Sequence, residues 1–239
     1  FGKVHGGDFA VHVGDFIGYT NVLGEAEERC PESRYRWVAD VLKTGRVRTF
    51  IVPGDNEWND CPDPDRSMGH WRRHLKNLDE HWQNSTTDAH FPPVTRHLSL
   101  DPNFSFRLHH VLVVGLFMVG GQINDQDEWD ARMRRNVAFV RMNLARHHQN
   151  ITAVVLFGHS KMYRDNVRLF FDELVDMARR HSELNFLYLH GDGHVWEMDE
   201  HNATKNMLRV QLDQGGIAPP LLVTVHAAGD FWFDRRLGG

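Results

Sequence analysis

The sequence predicts an α/β sandwich, and three observations predict it. Four short apolar runs each hand over to Gly together with Asp, Asn or His. The stretches between them carry apolar residues at three- and four-residue steps, the period of a helix face. Towards the end of the chain the apolar runs become short and are separated only by turns, which fits consecutive antiparallel strands. Strands alternating with helices, followed by a β-rich end, define one layered domain spanning 1–239.

The elements follow in order. Phe9-Ala10-Val11-His12-Val13 reads as a strand and ends in Gly14-Asp15. Ser33 is placed to cap a helix running to about Lys43, with Tyr35, Val38, Val41 and Leu42 inward. Thr49-Phe50-Ile51-Val52 reads as a buried strand and turns on Pro53-Gly54 into Asp55-Asn56-Glu57. Met68, Trp71, Leu75, Leu78 and Trp82 predict a helix over 67–82. Two strands, 105–109 and 111–118, form a hairpin that ends at Gly120-Gly121. A long helix over 127–147 buries Trp129, Met133, Val137, Val140 and Leu144. Its Arg132, Arg134, Arg135, Arg141 and Arg146 are expected on a solvated face. Strand 152–157 leads into Gly158-His159. A helix over 166–180 follows, and strand 185–189 leads into His190-Gly191-Asp192-Gly193-His194.

Composition narrows the function classes. The chain has 239 residues, 41% hydrophobic and 25% charged, as in soluble globular proteins. A net charge of -5 argues against nucleic acid and anionic membranes as partners. No apolar run approaches the length of a membrane span. The first residue is Phe1, so the sequence reads as a mature or incomplete chain.

Cys30 and Cys61, the only two cysteines, each lie in a loop past a strand end. If those strands are neighbours, a disulfide closes a loop of roughly 30 residues; the alternative is two buried thiols. Four acceptor sequons begin at Asn84, Asn103, Asn150 and Asn202. Bridge and sequons together favour a secreted protein.

Asp15, Asp55, Asn56, His159, Asp192 and His194, with Glu57 and His190 nearby, all fall at strand ends. In open α/β sheets, ligands sit outside the carboxyl ends of the strands. Carboxylates with imidazoles and no thiolate form the mixed ligand set of Fe, Mn or Zn sites rather than of structural zinc. Two such ions would activate water and clamp a phosphate ester.

The order of these blocks resembles the calcineurin-like metallophosphoesterase superfamily, in particular its purple-acid-phosphatase-like branch, over almost the whole chain. That family runs Asp-x-His, Gly-Asp, Gly-Asn-His-Asp/Glu, a lone His after a strand, and Gly-His-x-His. The resemblance implies an α/β sandwich of mixed sheets flanked by helices. It implies Asp15 as the bridge between two divalent metal ions and Asp55, His159, Asp192 and His194 as further ligands. Asn56 stands where the family has the histidine that assists catalysis, and His190 is a candidate to replace it. The implied activity is hydrolysis of phosphate mono- or diesters.

The departures are specific. The Asp-x-His block is absent, because the chain starts too late to contain it. More acid and less imidazole favour a harder metal than zinc, such as Mg, Mn or Ca. The tyrosine expected three residues after the bridging Asp is Gly18 here, followed by Tyr19. These departures leave a second reading open: a non-catalytic secreted glycoprotein domain that keeps the fold for a structural or binding role.

Overall fold

The computed structural model of the protein describes residues 7–18, 29–83 and 90–237. A seven-stranded mixed sheet is flanked by helices. Its strands are β3 (Thr95–Arg96), β4 (Phe104–Leu108), β5 (Val111–Gly115), β6 (Ala153–Gly158), β7 (Asn185–His190), β8 (Glu197–Glu200) and β9 (Met207–Gln211). Their spatial order is β3-β4-β5-β6-β7-β9-β8. The inner strands β5, β6, β7 and β9 are parallel. Near-continuous apolar runs such as Ala153-Val154-Val155-Leu156 fit strands covered on both faces.

Alternation along the strands sorts side chains between two cores. Val154, Leu156, Phe186 and Tyr188 join the helix-side core. Val155, Leu187, Leu189 and Val210 point the other way, onto Val223, Phe231 and Phe233 of the antiparallel hairpin β10 (Leu222–Val225) and β11 (Phe231–Asp234). A separate parallel pair, β1 (Phe9–His12) and β2 (Arg48–Ile51), packs Phe50 and Val52 onto Phe104, Phe106 and Val113. The β-rich end therefore differs from a run of consecutive antiparallel strands. β9 enters parallel to β7, and only β8 and the hairpin are antiparallel.

Two helix starts differ from expectation. Helix α1 (Glu32–Lys43) begins at Glu32, with extended Pro31 at the N-cap and Ser33 already inside. Helix α2 (Pro64–His74) starts earlier than 67, because Asp63 accepts the Arg66 N–H and Pro64 occupies the first turn. The apolar stripe on to Trp82 continues in a separate 3-10 turn, Leu78–Trp82, after a non-helical Asn77. Helix α3 (Gln126–His147) is capped by Asp125, and α4 (Arg168–Arg180) packs beside it. Among the described residues no helix is long and apolar enough to cross a membrane.

The arginine face of α3 needs one correction. Arg132 is fully buried rather than solvated. Its guanidinium lies 4.7 Å from the Trp58 ring centroid, 4.8 Å from Phe117 and 4.4 Å from Trp129. Nε donates to Glu128 one turn back at 2.9 Å. Aromatic faces and one carboxylate thus replace the water an arginine normally keeps. Arg132→Ala should cost about 3 kcal/mol, because it empties this niche and leaves Glu128 without its partner. The volume-matched Arg132→Met should cost clearly less. Urea midpoints of the two variants test this, and equal small losses would show that the aromatic box does not depend on its cation.

Asn103 is a second correction. Its side chain is fully buried. Nδ2 donates to Asn136 Oδ1 at 2.7 Å, and Oδ1 accepts the Phe117 N–H at 2.7 Å. Asn136 returns a bond to the Phe117 carbonyl at 2.9 Å. The amide that a glycan would need is spent on pinning the segment after β5. Asn150 and Asn202 are exposed, and Asn84 lies outside the described residues.

Candidate metal centre

The carboxyl ends of β1, β2, β6 and β7 meet. Gly14 and Gly54 make this possible for the first pair. A Cβ on Gly14, whose φ is +89°, would fall 2.3 Å from the Gly54 nitrogen, and a Cβ on Gly54 would fall 2.3 Å from Asp15 Oδ1. The two turns nest only because both side chains are hydrogen. Glu57 then ties them together. Its Oε1 accepts the Gly54 N–H at 2.7 Å, and its two oxygens face the Asp15 N–H at 3.1 and 3.0 Å. Burial first, and then the Asp15 charge, push the Glu57 carboxyl up to about 8.

Asp15, Asp55 and His159 each offer an atom within 4.8 Å of the others. His159 Nε2 stands 3.3 Å from Asp15 Oδ2 and 3.3 Å from Asp55 Oδ1. Its Nδ1 lies 2.8 Å from the Val13 carbonyl, which only accepts, so Nδ1 carries a proton. The buried Nε2 makes no well-formed hydrogen bond. A neutral imidazole here would aim its lone pair at two acceptor-only carboxylates. That frustration ends when Nε2 is protonated or when a cation sits between the three groups. Without a cation, burial lowers the His159 pKa, but the facing oxygens and charges of Asp15 and Asp55 together outweigh it and hold the ring well above the usual imidazole range. For Asp15, burial is likewise outweighed by the bond and charge of His159, and its carboxyl is held low. The donor set and the orphaned nitrogen fit a divalent metal ion.

The other predicted residues fall around this trio. Asn56 contributes its backbone, donating N–H to Asp15 Oδ1 at 3.3 Å. His194 Nε2 lies 3.8 Å from Asp15 Oδ2, on a half-exposed ring. Asp192 points instead to Arg164, 3.0 Å from Nη2. His190 is buried, stacks on Tyr188 and places Nδ1 2.9 Å from the Gly191 carbonyl. Burial, followed by the Arg209 charge, pushes it down to about 3. An imidazole so held is neutral near pH 7 and has no second proton to give, which corrects the expectation of a general acid. Asp15, Asp192 and His194 all have positive φ, at 61°, 64° and 60°. Non-glycine residues seldom adopt this conformation, and where they do, functional sites are over-represented.

Three further contributors went unassigned in the sequence. His12 stands beneath the site and accepts the Gly14 N–H at 3.1 Å; loss of solvent, then the His159 charge, push it down to about 4. Asp60 is held above the usual carboxylate range by burial and then by Asp55. Gly120-Gly121 forms the floor. Asn59 Nδ2 grips it through the Gly120 carbonyl at 3.3 Å and the Gln122 carbonyl at 2.6 Å. Gly121 has φ +74°, and a Cβ there would lie 3.0 Å from both Asp55 and Asp60. Gly121→Ala should cost about 1–2 kcal/mol from the backbone and displace Asp55, lowering metal content with it. Thermal midpoint and metal per chain are the readouts; a variant with native metal content would remove Gly121 from the site. A double glycine after the long apolar run 111–119 was the available sequence signal for this floor.

Cys30 and Cys61 form a disulfide, with Cα atoms 6.0 Å apart. It lies against the Asp55–Glu57 loop, with Cys61 Sγ 3.4 Å from the Asn56 carbonyl.

No protein-family model matches the chain, and no curated protein matches it. Among solved structures, the chain is similar to a dimetal phosphatase from Danio rerio, with TM-score 0.44, 12% identity, and coverage of 86% of this chain and 87% of that one. It is similar to the phosphopantetheinyl hydrolase of Mycobacterium tuberculosis, with TM-score 0.39, 14% identity, and coverage of 86% and 79%. It is also similar to GAP50, the anchor in the inner membrane complex of Plasmodium, with TM-score 0.37, 13% identity, and coverage of 88% and 72%.

Proposed function

We propose that the protein is a metal-dependent phosphoesterase of metallophosphoesterase-like fold, hydrolysing phosphate mono- or diesters. One observation carries the reading: His159 Nε2 is held between Asp15 and Asp55, with its other nitrogen committed to the Val13 carbonyl. Asp15, Asp55 and His159 would hold a divalent cation, and exposed His194 would close the set from the rim. Such an ion supplies Lewis-acid charge to a phosphoryl oxygen and lowers the pKa of a water. The chain does the positioning. Glu57 fixes the backbone of Asp15, and the Asn56 N–H orients its carboxylate. The Asn56 amide gives no proton, so its part is to hydrogen-bond a phosphoryl oxygen rather than to protonate a leaving group. Gly18 in place of the tyrosine argues against a tyrosinate-iron centre of the purple-acid-phosphatase kind.

The disulfide and the exposed Asn150 and Asn202 support passage through a secretory compartment. The test of function is hydrolysis of a chromogenic phosphate ester before and after chelation. Activity should vanish with the chelator and return with Mn²⁺, Zn²⁺ or Mg²⁺. Failure of every ion to support turnover, in a protein that binds one, would favour the non-catalytic reading.

A further inference from the structure

The last motif, His190-Gly191-Asp192-Gly193-His194, is expected to supply two metal ligands, but its first carboxylate is already taken. Arg164 Nη2 lies 3.0 Å from Asp192 Oδ2 and 3.1 Å from Oδ1. The Asp192 side chain is 10% exposed and that of Arg164 38%, so the anion faces inward and the cation reaches the rim. The pair rests on bare backbone. A Cβ on Gly120 would fall 3.0 Å from Asp192 Oδ2 and 3.2 Å from Arg164 Nη1. The next residue, Gly121, lies against Asp55 in the same way. Consecutive Cα atoms are about 3.8 Å apart, so the guanidinium and the Asp15–Asp55–His159 trio flank one short floor.

Arg164 offers a fixed positive charge beside the trio. Asp192 engages Nη2, and the remaining N–H groups of the planar fork suit a phosphate oxygen.

Resting on the metal reading above, we infer that Arg164, oriented by Asp192, supplies a fixed positive charge beside the Asp15–Asp55–His159 cation site and binds the phosphate group of the substrate. Arg164 is then a substrate-binding residue and Asp192 its positioning residue rather than a ligand.

The experiment strips the full chain with chelator, reloads it with excess Mn²⁺ and counts ions by elemental analysis. Native protein should bind manganese. Asp192→Asn should keep that ion with manganese affinity within about tenfold of native, whereas Asp55→Asn should lose about a hundredfold or more. Inorganic phosphate, titrated calorimetrically into the manganese-loaded protein, is the second probe. Arg164→Gln should keep the ion and weaken phosphate binding about ten- to a hundredfold, and Arg164→Lys should recover part of it. Circular dichroism confirms that each variant is folded. Loss of the ion in Asp192→Asn, or unchanged phosphate binding in Arg164→Gln, each overturn the inference. Unchanged phosphate binding in Arg164→Gln would leave the metallophosphoesterase reading standing, whereas no ion in the native protein would remove that reading and this inference together.

Discussion

Asp15→Asn should abolish metal binding and phosphate-ester hydrolysis together while leaving the fold in place. Asparagine has the same shape as aspartate and tolerates a positive φ, so the 61° backbone at this position is not disturbed. The Glu57 bonds run to the Asp15 backbone and survive the change. What disappears is the negative oxygen 3.3 Å from His159 Nε2. An amide is a weak ligand for a hard divalent ion, and the attraction that held His159 in the centre falls with it. Loss of about 4 kcal/mol of transition-state stabilisation corresponds to roughly a thousandfold in kcat/KM. Metal per chain should fall in parallel. Undiminished hydrolysis by a folded Asp15→Asn protein would remove Asp15 from the chemistry.

Removing the disulfide should cost the most stability. Cys30 and Cys61 are 31 residues apart, and the chain-entropy model assigns a loop of that size about 3–4 kcal/mol. For a domain of this size the melting midpoint should drop by about 10 °C in Cys30→Ser, Cys61→Ser. The loss should also reach the centre, because the bridge is one wall of the loop that presents Asp55. Tyr35, from α1, donates to the Glu57 carbonyl at 2.7 Å and lies 3.8 Å from Cys61 Sγ. Bridge and tyrosine both hold the loop, through the Asn56 and Glu57 carbonyls. Weaker metal binding in the double variant is therefore expected alongside the lower midpoint. A reduced protein that melts as the oxidised one does would show that packing alone holds this loop.

The strand-end convergence was legible because it is local. An apolar run followed by Gly and Asp announces itself within a few residues, and the parallel pairing of β1 with β2 and β6 with β7 does the rest. The bridge between Cys30 and Cys61 followed from the same neighbourhood. What stayed hidden depends on partners distant in sequence. Nothing near Arg132 marks it as the filling of an aromatic box, since Trp58 and Phe117 come from other elements. Nothing near Asn103 distinguishes a glycan acceptor from a buried clamp until Asn136 is placed beside it. His190 sits among likely-looking ligands in the sequence, yet on β7 its ring turns onto Tyr188 and towards Arg209. Arg164 carried no signal, because its meaning lies in Asp192, 28 residues away.

The bond between His159 and the Val13 carbonyl joins residues 146 apart in the chain. Closing so long a loop costs entropy before any contact repays it, and parallel strands add further non-local pairings. Refolding should therefore be slow, with the cavity completed in its final phase. Fragments ending before β6 lack His159 and cannot assemble the trio.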